Sequence, residues 1–293
     1  MGAQTAGGTG AESGDPSSTT PPASRAGRNL PVAIAVGVGL GAICIASLLI
    51  YRQSFIVIIA AAVVASIWEL RTTLAQARGI VITWIPVAVG SVATIALVWP
   101  YGQAVQGIAV ALTALACMVW RFAKGSAGYL ADISASIFVT VYLGLFASFA
   151  TLMLVPDDGA QRILTFMIMV VASDTGGYIA GVLFGKHPMA PKISPKKSWE
   201  GFSGSLLGAA LAGALCVALL LAGQWWQGLI AGLAVAAVAT GGDLTESLIK
   251  RDLGVKDMGN LLPGHGGVMD RMDSLLPSAV VTWCLLALFV PVG

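Results

Sequence analysis

Ser247 to Asp273 reads SLIKRDLGVKDMGNLLPGHGGVMDRMD, and it gathers Lys250, Arg251, Asp252, Lys256, Asp257, Asp270, Arg271 and Asp273 into 27 residues of a chain that is only 10% charged. It also carries His265, one of two histidines. Charge beside a membrane is costly to bury and therefore marks either orientation or chemistry. Just upstream, Asp243, Glu246, Ser247 and Lys250 fall at i, i+3, i+4 and i+7, which on a helix is one face. Leu244, Leu248 and Ile249 between them are apolar. The pattern predicts a helix with a stripe of acid, acid, hydroxyl and base, leading into a 251–273 loop broken at Pro263-Gly264-His265-Gly266-Gly267. A frayed helix end turned to water would explain any one of these residues, but poorly the four together.

Two other clusters stand out. Ser173-Asp174-Thr175-Gly176-Gly177-Tyr178 places an acid between two hydroxyls inside an apolar run. Such an acid costs about 2.5–3.5 kcal/mol on insertion scales and normally faces a polar cavity. The glycine pair permits close backbone approach or a break. In Ser194-Pro195-Lys196-Lys197-Ser198-Trp199-Glu200-Gly201, two lysines are flanked by hydroxyls. Point charge with short donors suits a polyphosphate. Simple anchoring at a membrane border accounts for Lys186 and Lys192 nearby, whereas Gly185-Lys186 lacks the spacing of a P-loop.

These residues resemble the phosphatidate cytidylyltransferases (CDP-diacylglycerol synthases). The pattern of that family is Ser-x-x-Lys-Arg, four residues, Lys-Asp, then Pro-x-His-Gly-Gly-x-x-Asp-Arg-x-Asp. Its fixed positions are matched by Ser247, Lys250, Arg251, Lys256, Asp257, Pro263, His265, Gly266, Gly267, Asp270, Arg271 and Asp273. Gly242-Asp243-Leu244-Thr245-Glu246-Ser247, the run from Asp174 to Tyr178 and the segment Ser194–Gly201 fit the family as well. The resemblance covers residues 173–273, roughly a third of the chain; the first five apolar runs match only in being apolar.

The resemblance implies transfer of CMP from CTP to phosphatidic acid, giving CDP-diacylglycerol and pyrophosphate. The nucleophile is then a lipid phosphate, already anionic, so no strong base is needed. The difficulty lies in bringing two anions together and neutralising the departing pyrophosphate, a task for magnesium and basic residues. Asp243 and Asp270, which match the family's metal carboxylates, are the first candidates for magnesium ligands, with Glu246 beside them, since hard cations take carboxylate oxygens. Three or more clustered carboxylates leave room for a second, monovalent cation. Lys250, Arg251 and Asp273 complete the catalytic set. Glu246, Asp257 and Asp273 are candidates to orient lysines. Asp174, Ser194, Lys196, Lys197, Ser198, Glu200, Ser247, Lys256, His265 and Arg271 are expected to contact substrate. A homodimer fits the family, and no nucleic-acid partner is expected. Two other readings compete. A cation- or proton-coupled transporter would use Asp174 and Asp243, but its sites lie near the bilayer midplane and no inverted repeat is visible. An alcohol phosphatidyltransferase needs an Asp-Gly-x-x-Ala-Arg motif, which is missing.

The elements that must position these groups are apolar helices. With 57% hydrophobic residues and a mean hydropathy of +0.85, the chain is outside the soluble range. About 20 apolar residues span a bilayer, and nine runs qualify: 31–51, 54–76, 80–99, 103–121, 130–154, 162–184, 202–222, 225–249 and 273–291. The expected fold is an all-α polytopic bundle of about nine transmembrane helices in the cell membrane, with the polar active-site loops on the cytoplasmic side. With the N-terminus inside, all but Arg52 and Arg162 of the 16 Lys and Arg fall on the cytoplasmic side, as the positive-inside rule requires.

Residues 1–29, rich in Gly, Ser, Thr and Pro, read as a disordered cytoplasmic tail. The first run is long enough for a true span and lacks the cleavage site of a leader. Residues 30–154 then form N-terminal spans and 155–293 a catalytic region. Glu69 reads as an interfacial carboxylate near Arg71. Gly37, Gly39 and Gly41 read as close helix packing in lipid, Asp157-Asp158-Gly159 as an outer turn, and Trp225-Trp226 as an interfacial belt. The four cysteines sit in apolar runs with neither disulfide nor zinc spacing.

Overall fold

A computed structural model describes residues 30–259, 261 and 266–291. Each expected apolar run forms helix: α1 (Leu30–Ile50), α2 (Ser54–Arg78), α3 (Trp84–Tyr101), α4 (Ala104–Arg121), α5 and α6 (Tyr129–Val139 and Phe146–Leu154), α7 (Gly159–Phe184), α8 (Trp199–Leu220), α9 (Trp225–Leu253) and, after the single turn α10 (Met269–Met272), α11 (Leu275–Phe289). Among the described residues eight helical segments are long and apolar enough to cross a membrane, and Gly37–Ile50 of α1 is a shorter apolar helix. The chain is an all-α polytopic membrane protein. The expected tail at 1–29 lies outside the described residues.

Local chemistry sets the helix limits. Gly79 closes α2 at φ +67° and Gly254 closes α9 at φ +70°, the left-handed conformation that glycine adopts without a Cβ clash. Ser198 opens α8, its Oγ accepting the N–H of Gly201 at 3.1 Å. Between α5 and α6, Thr140–Leu145 form a π-helical turn within one continuous span. Such turns carry an extra residue and redirect side chains.

Two local features depart from the sequence reading. The 185–201 segment is a hairpin, not an open loop: β1 (Pro188–Ala190) pairs antiparallel with β2 (Ser194–Ser198), with Pro188 opposite Ser198. Helix α9 runs to Leu253, past the expected end at 249, because the polar stripe is helical throughout.

Helices α7, α8 and α9 pack through glycine. A Cβ on Gly176 would press on the carbonyl of Gly204, and one on Gly208 on that of Ala172, each at 2.5 Å; Gly213 meets Gly228, and Gly232 meets Ala209, closer still. Small residues let backbones approach in lipid, where van der Waals contact drives association. Accordingly Gly176-Gly177 mark close approach, and α7 continues unbroken through them. In α1 the expectation fails: Gly39 and Gly41 face open space, with nothing within 4 Å of a built Cβ.

The two ends of the bundle differ. At one end Arg52 donates to the carbonyl of Pro156 at 2.6 Å, and Arg162 bonds both Asp158 and the carbonyl of Val290. At the other, Arg78 pairs with Asp252 at 2.8 Å. There Arg121 and Asp132 form a buried ion pair at 2.7 Å. Asp132 also accepts the N–H of Val81, and Arg121 donates to the carbonyls of Gly125 and Ala127. This second end carries the hairpin and the polar end of α9.

Candidate active site

The stripe on α9 is real, and its acids point at two different partners. Asp243 meets the hairpin: Lys197 Nζ lies 2.5 Å from Asp243 Oδ2 and 3.4 Å from the carbonyl of Thr240. Successive side chains of a strand point to opposite faces, so β2 turns Lys197 to α9 and leaves Lys196 exposed. Two turns further along α9, Lys250 Nζ lies 2.5 Å from Glu246 and 2.7 Å from Asp270 Oδ1. Asp270 is itself held by the N–H groups of Gly267 (2.8 Å, to Oδ2) and Met258 (3.2 Å, to Oδ1).

Asp273 joins these pairs. It is buried, and Asp243 and Glu246 act on it electrostatically, as Asp270 does on Glu246. Gly242 makes the approach possible: any Cβ there would collide with the carbonyl of Asp273 and reach Pro277 at 2.8 Å. Tyr142, turned inward by the π-helical segment, donates to the same carbonyl at 3.4 Å. Four carboxylates this close need positive charge among them, and Lys197 and Lys250 supply part of it.

Two cavities flank the stripe. One, of about 230 Å³, lies among α7, α8, α9 and the hairpin and is lined by Asp174, Tyr178, Lys196, Lys197, Ser198 and Asp243 among others. Lys197, Arg271 and Asp243 act electrostatically on Asp174. The second, of about 660 Å³, is basic: Lys196, Lys250, Arg251 and Lys256 line it with the hydroxyl-bearing Ser194 and Ser247. Lys196 borders both.

Most of the substrate-facing set expected from sequence therefore converges on this one region. Arg251 also donates to the carbonyl of Ile193 at 3.3 Å, tying α9 to the hairpin. Two residues have evident structural duties. Ser198 caps α8 while lining the smaller cavity. Glu200 faces the base of the hairpin, accepting the N–H groups of Lys186 and His187 at 3.2 Å and pairing with His187 Nδ1 at 2.5 Å. His265 lies outside the described residues.

Among the described residues no group of three or more His, Cys, Asp or Glu already forms a metal centre; lysines hold Asp243, Glu246 and Asp270 instead. The donors nevertheless fit a hard divalent cation in kind. All are carboxylates, and Glu246 Oε1 is buried without a hydrogen-bond partner.

Sequence reasoning missed the role of Glu69. Arg71 is not its partner, for it lies over the rings of Trp68 and Trp84 at 5.0 and 5.1 Å. Glu69 is buried instead against the loop that ends in Asp270, accepting the N–H of Met269 at 2.9 Å. A buried acid 200 residues away in sequence carries no local signal of such a contact. Glu69 and Tyr142 also mean that the division at residue 154 does not separate the site from the preceding spans.

The cytidylyltransferase family profile matches residues 31–289 of this chain. A phosphatidate cytidylyltransferase of Mycobacterium leprae is 46% identical over 280 residues, covering 90% of this chain and 89% of the relative. One from Mycobacterium bovis is 42% identical over 278 residues, covering 90% of each. A phosphatidate cytidylyltransferase of Haemophilus influenzae is 44% identical over 125 residues, 41% of this chain and 43% of that one.

Proposed function

The chain belongs to the cytidylyltransferase family, and from that premise we infer that it is a phosphatidate cytidylyltransferase, joining CMP from CTP to phosphatidic acid with release of pyrophosphate. The observation that carries the reading is the meeting of the two cavities at Lys196, beside Asp243 and Lys250. The basic groove suits the triphosphate of CTP. Lys196, Lys250, Arg251 and Lys256 offer charge there, with the hydroxyls of Ser194 and Ser247. The smaller cavity, between membrane helices, suits the phosphate head of the lipid, whose acyl chains stay in the bilayer. A phosphatidate oxygen then forms a bond to the α-phosphorus of CTP as the bond from that phosphorus to the bridging oxygen breaks. The electron pair leaves with pyrophosphate.

Catalysis of this kind is positioning plus charge neutralisation. The side chains here serve both ends. Asp243 holds Lys197, and Glu246 with Asp270 holds Lys250, so each ammonium is oriented before substrate arrives. Asp243, Asp270 and Glu246 are the residues that would hold magnesium, which when bound would neutralise charge on the phosphates. Asp273 is the residue that would join them if a second, monovalent cation is held as well. Arg271 and His265 complete the phosphate-facing set by resemblance to the family, from which a homodimer is also taken.

The basic residues of the hairpin end support a cytoplasmic active site, on the side where CTP is found, with the N-terminus inside. Purified protein in micelles with CTP, magnesium and phosphatidate should release pyrophosphate only when all three are present. Pyrophosphate without phosphatidate, or none with it, would overturn the assignment.

A further inference from the structure

Glu69, on α2, is 4% exposed, and it faces backbone. Its Oε2 accepts the N–H of Met269 at 2.9 Å and its Oε1 that of Leu261 at 3.4 Å. Gly259 and Gly267 lie directly on its carboxylate. A Cβ on Gly259 would collide with Glu69 atoms at all three of its nearest contacts, and one on Gly267 would stand 2.7 Å from Oε2. One turn along α2, Thr73 donates to the carbonyl of Met258 at 2.8 Å. Asp270 pins the same neck from the other side, accepting from Met258 and Gly267. Two carboxylates therefore clasp the point where Met258–Gly259 and Gly266–Asp270 come together, and one of them is Asp270, the partner of Lys250.

We propose that Glu69 is a positioning residue for cytidylyl transfer: from α2, its carboxylate holds Met258–Gly259 and Gly267–Met269 together and so sets Asp270 against Lys250 and Glu246. The proposal rests on the reading of the α9 stripe as the CTP site. The chemistry asks for a carboxylate in particular. Two N–H donors converge on two acceptor oxygens, and glutamine would turn an NH₂ towards one of them. Aspartate, one methylene shorter, cannot reach both. The two glycines are needed because the carboxylate occupies the space a Cβ would take.

Glu69→Gln keeps the volume and should lower kcat by about 10- to 100-fold, as small misplacements of catalytic groups do, with KM for CTP and phosphatidate within about twofold. Glu69→Ala and Gly259→Ala should each lower kcat, and the double variant should be no worse than the poorer single one, because removing the carboxylate makes room for the new methyl. A purely structural role would instead cut the yield of folded protein and leave the kcat of what remains unchanged. Trypsin cleavage after Lys256, without substrate, should be faster in Glu69→Gln than in wild type. Wild-type kcat and cleavage rate in Glu69→Gln, or multiplicative losses in the double variant, would overturn the proposal. Failure of the wild-type protein to release pyrophosphate would sink the functional reading alone, because the cleavage comparison needs no reaction.

Discussion

The ammonium of Lys197 lies 2.5 Å from Oδ2 of Asp243, 46 residues away in sequence, and with the bond from Arg251 to the Ile193 carbonyl it holds the hairpin onto α9. Both side chains are partly accessible from the cavity between α7, α8 and α9. The pair thus holds a base and an acid ready at a surface that substrate can reach. A lysine held by a carboxylate is not free to wander.

Replacing both hairpin lysines tests that arrangement. Lys196→Gln with Lys197→Gln should raise KM for CTP or lower kcat, reducing kcat/KM by about 100-fold, or about 2.7 kcal/mol. Insertion and purification should be normal, because the remaining basic residues still set topology. Unchanged kinetics would leave the segment as a topology anchor only.

Asp243 and Asp270 probe the cation. Asp243→Asn and Asp270→Asn should each abolish magnesium-dependent turnover, and the double variant should lose little more, since groups acting as a unit are non-additive. Stepwise removal of magnesium by a chelator should silence the wild type with the same completeness. Substantial magnesium-dependent turnover in either single variant would remove that residue from the ligand set and turn attention to Glu246 or Asp273.

The Arg121–Asp132 pair should matter for stability alone. Its side chains are 6% and 5% exposed, and it ties α4, the turn at 125–127, the start of α5 and the 79–83 link together. Asp132→Asn leaves the guanidinium buried without its counter-charge, a loss of about 3–5 kcal/mol. Thermal unfolding in detergent should register it as a lower midpoint, with KM for CTP unaltered in the folded fraction.

Orientation can be read at Ser194, on the rim of the basic groove. A cysteine placed there should react with a membrane-impermeant thiol reagent only after the cytoplasmic face is opened. Labelling of intact cells would put the site on the wrong side for CTP.

The sequence by itself determined the class of protein, the nine apolar runs, the shared face of Asp243, Glu246, Ser247 and Lys250, and the family. Each of these is local: hydropathy over 20 residues, helical periodicity over two turns, fixed spacing within a motif. What only the tertiary structure decided is which charge answers which. Nothing in the spacing pairs Lys197 with Asp243 or Lys250 with Asp270, because those contacts depend on the glycine seams that set α7, α8 and α9 together and on Gly242, which admits Asp273 beside the stripe. Glu69 was the least legible of all. Its neighbours in sequence suggested Arg71, yet that guanidinium stacks on two tryptophans, and the carboxylate is spent on backbone N–H groups near Asp270. A buried acid that meets only main chain leaves no trace in side-chain pattern, since every residue but proline carries the same N–H.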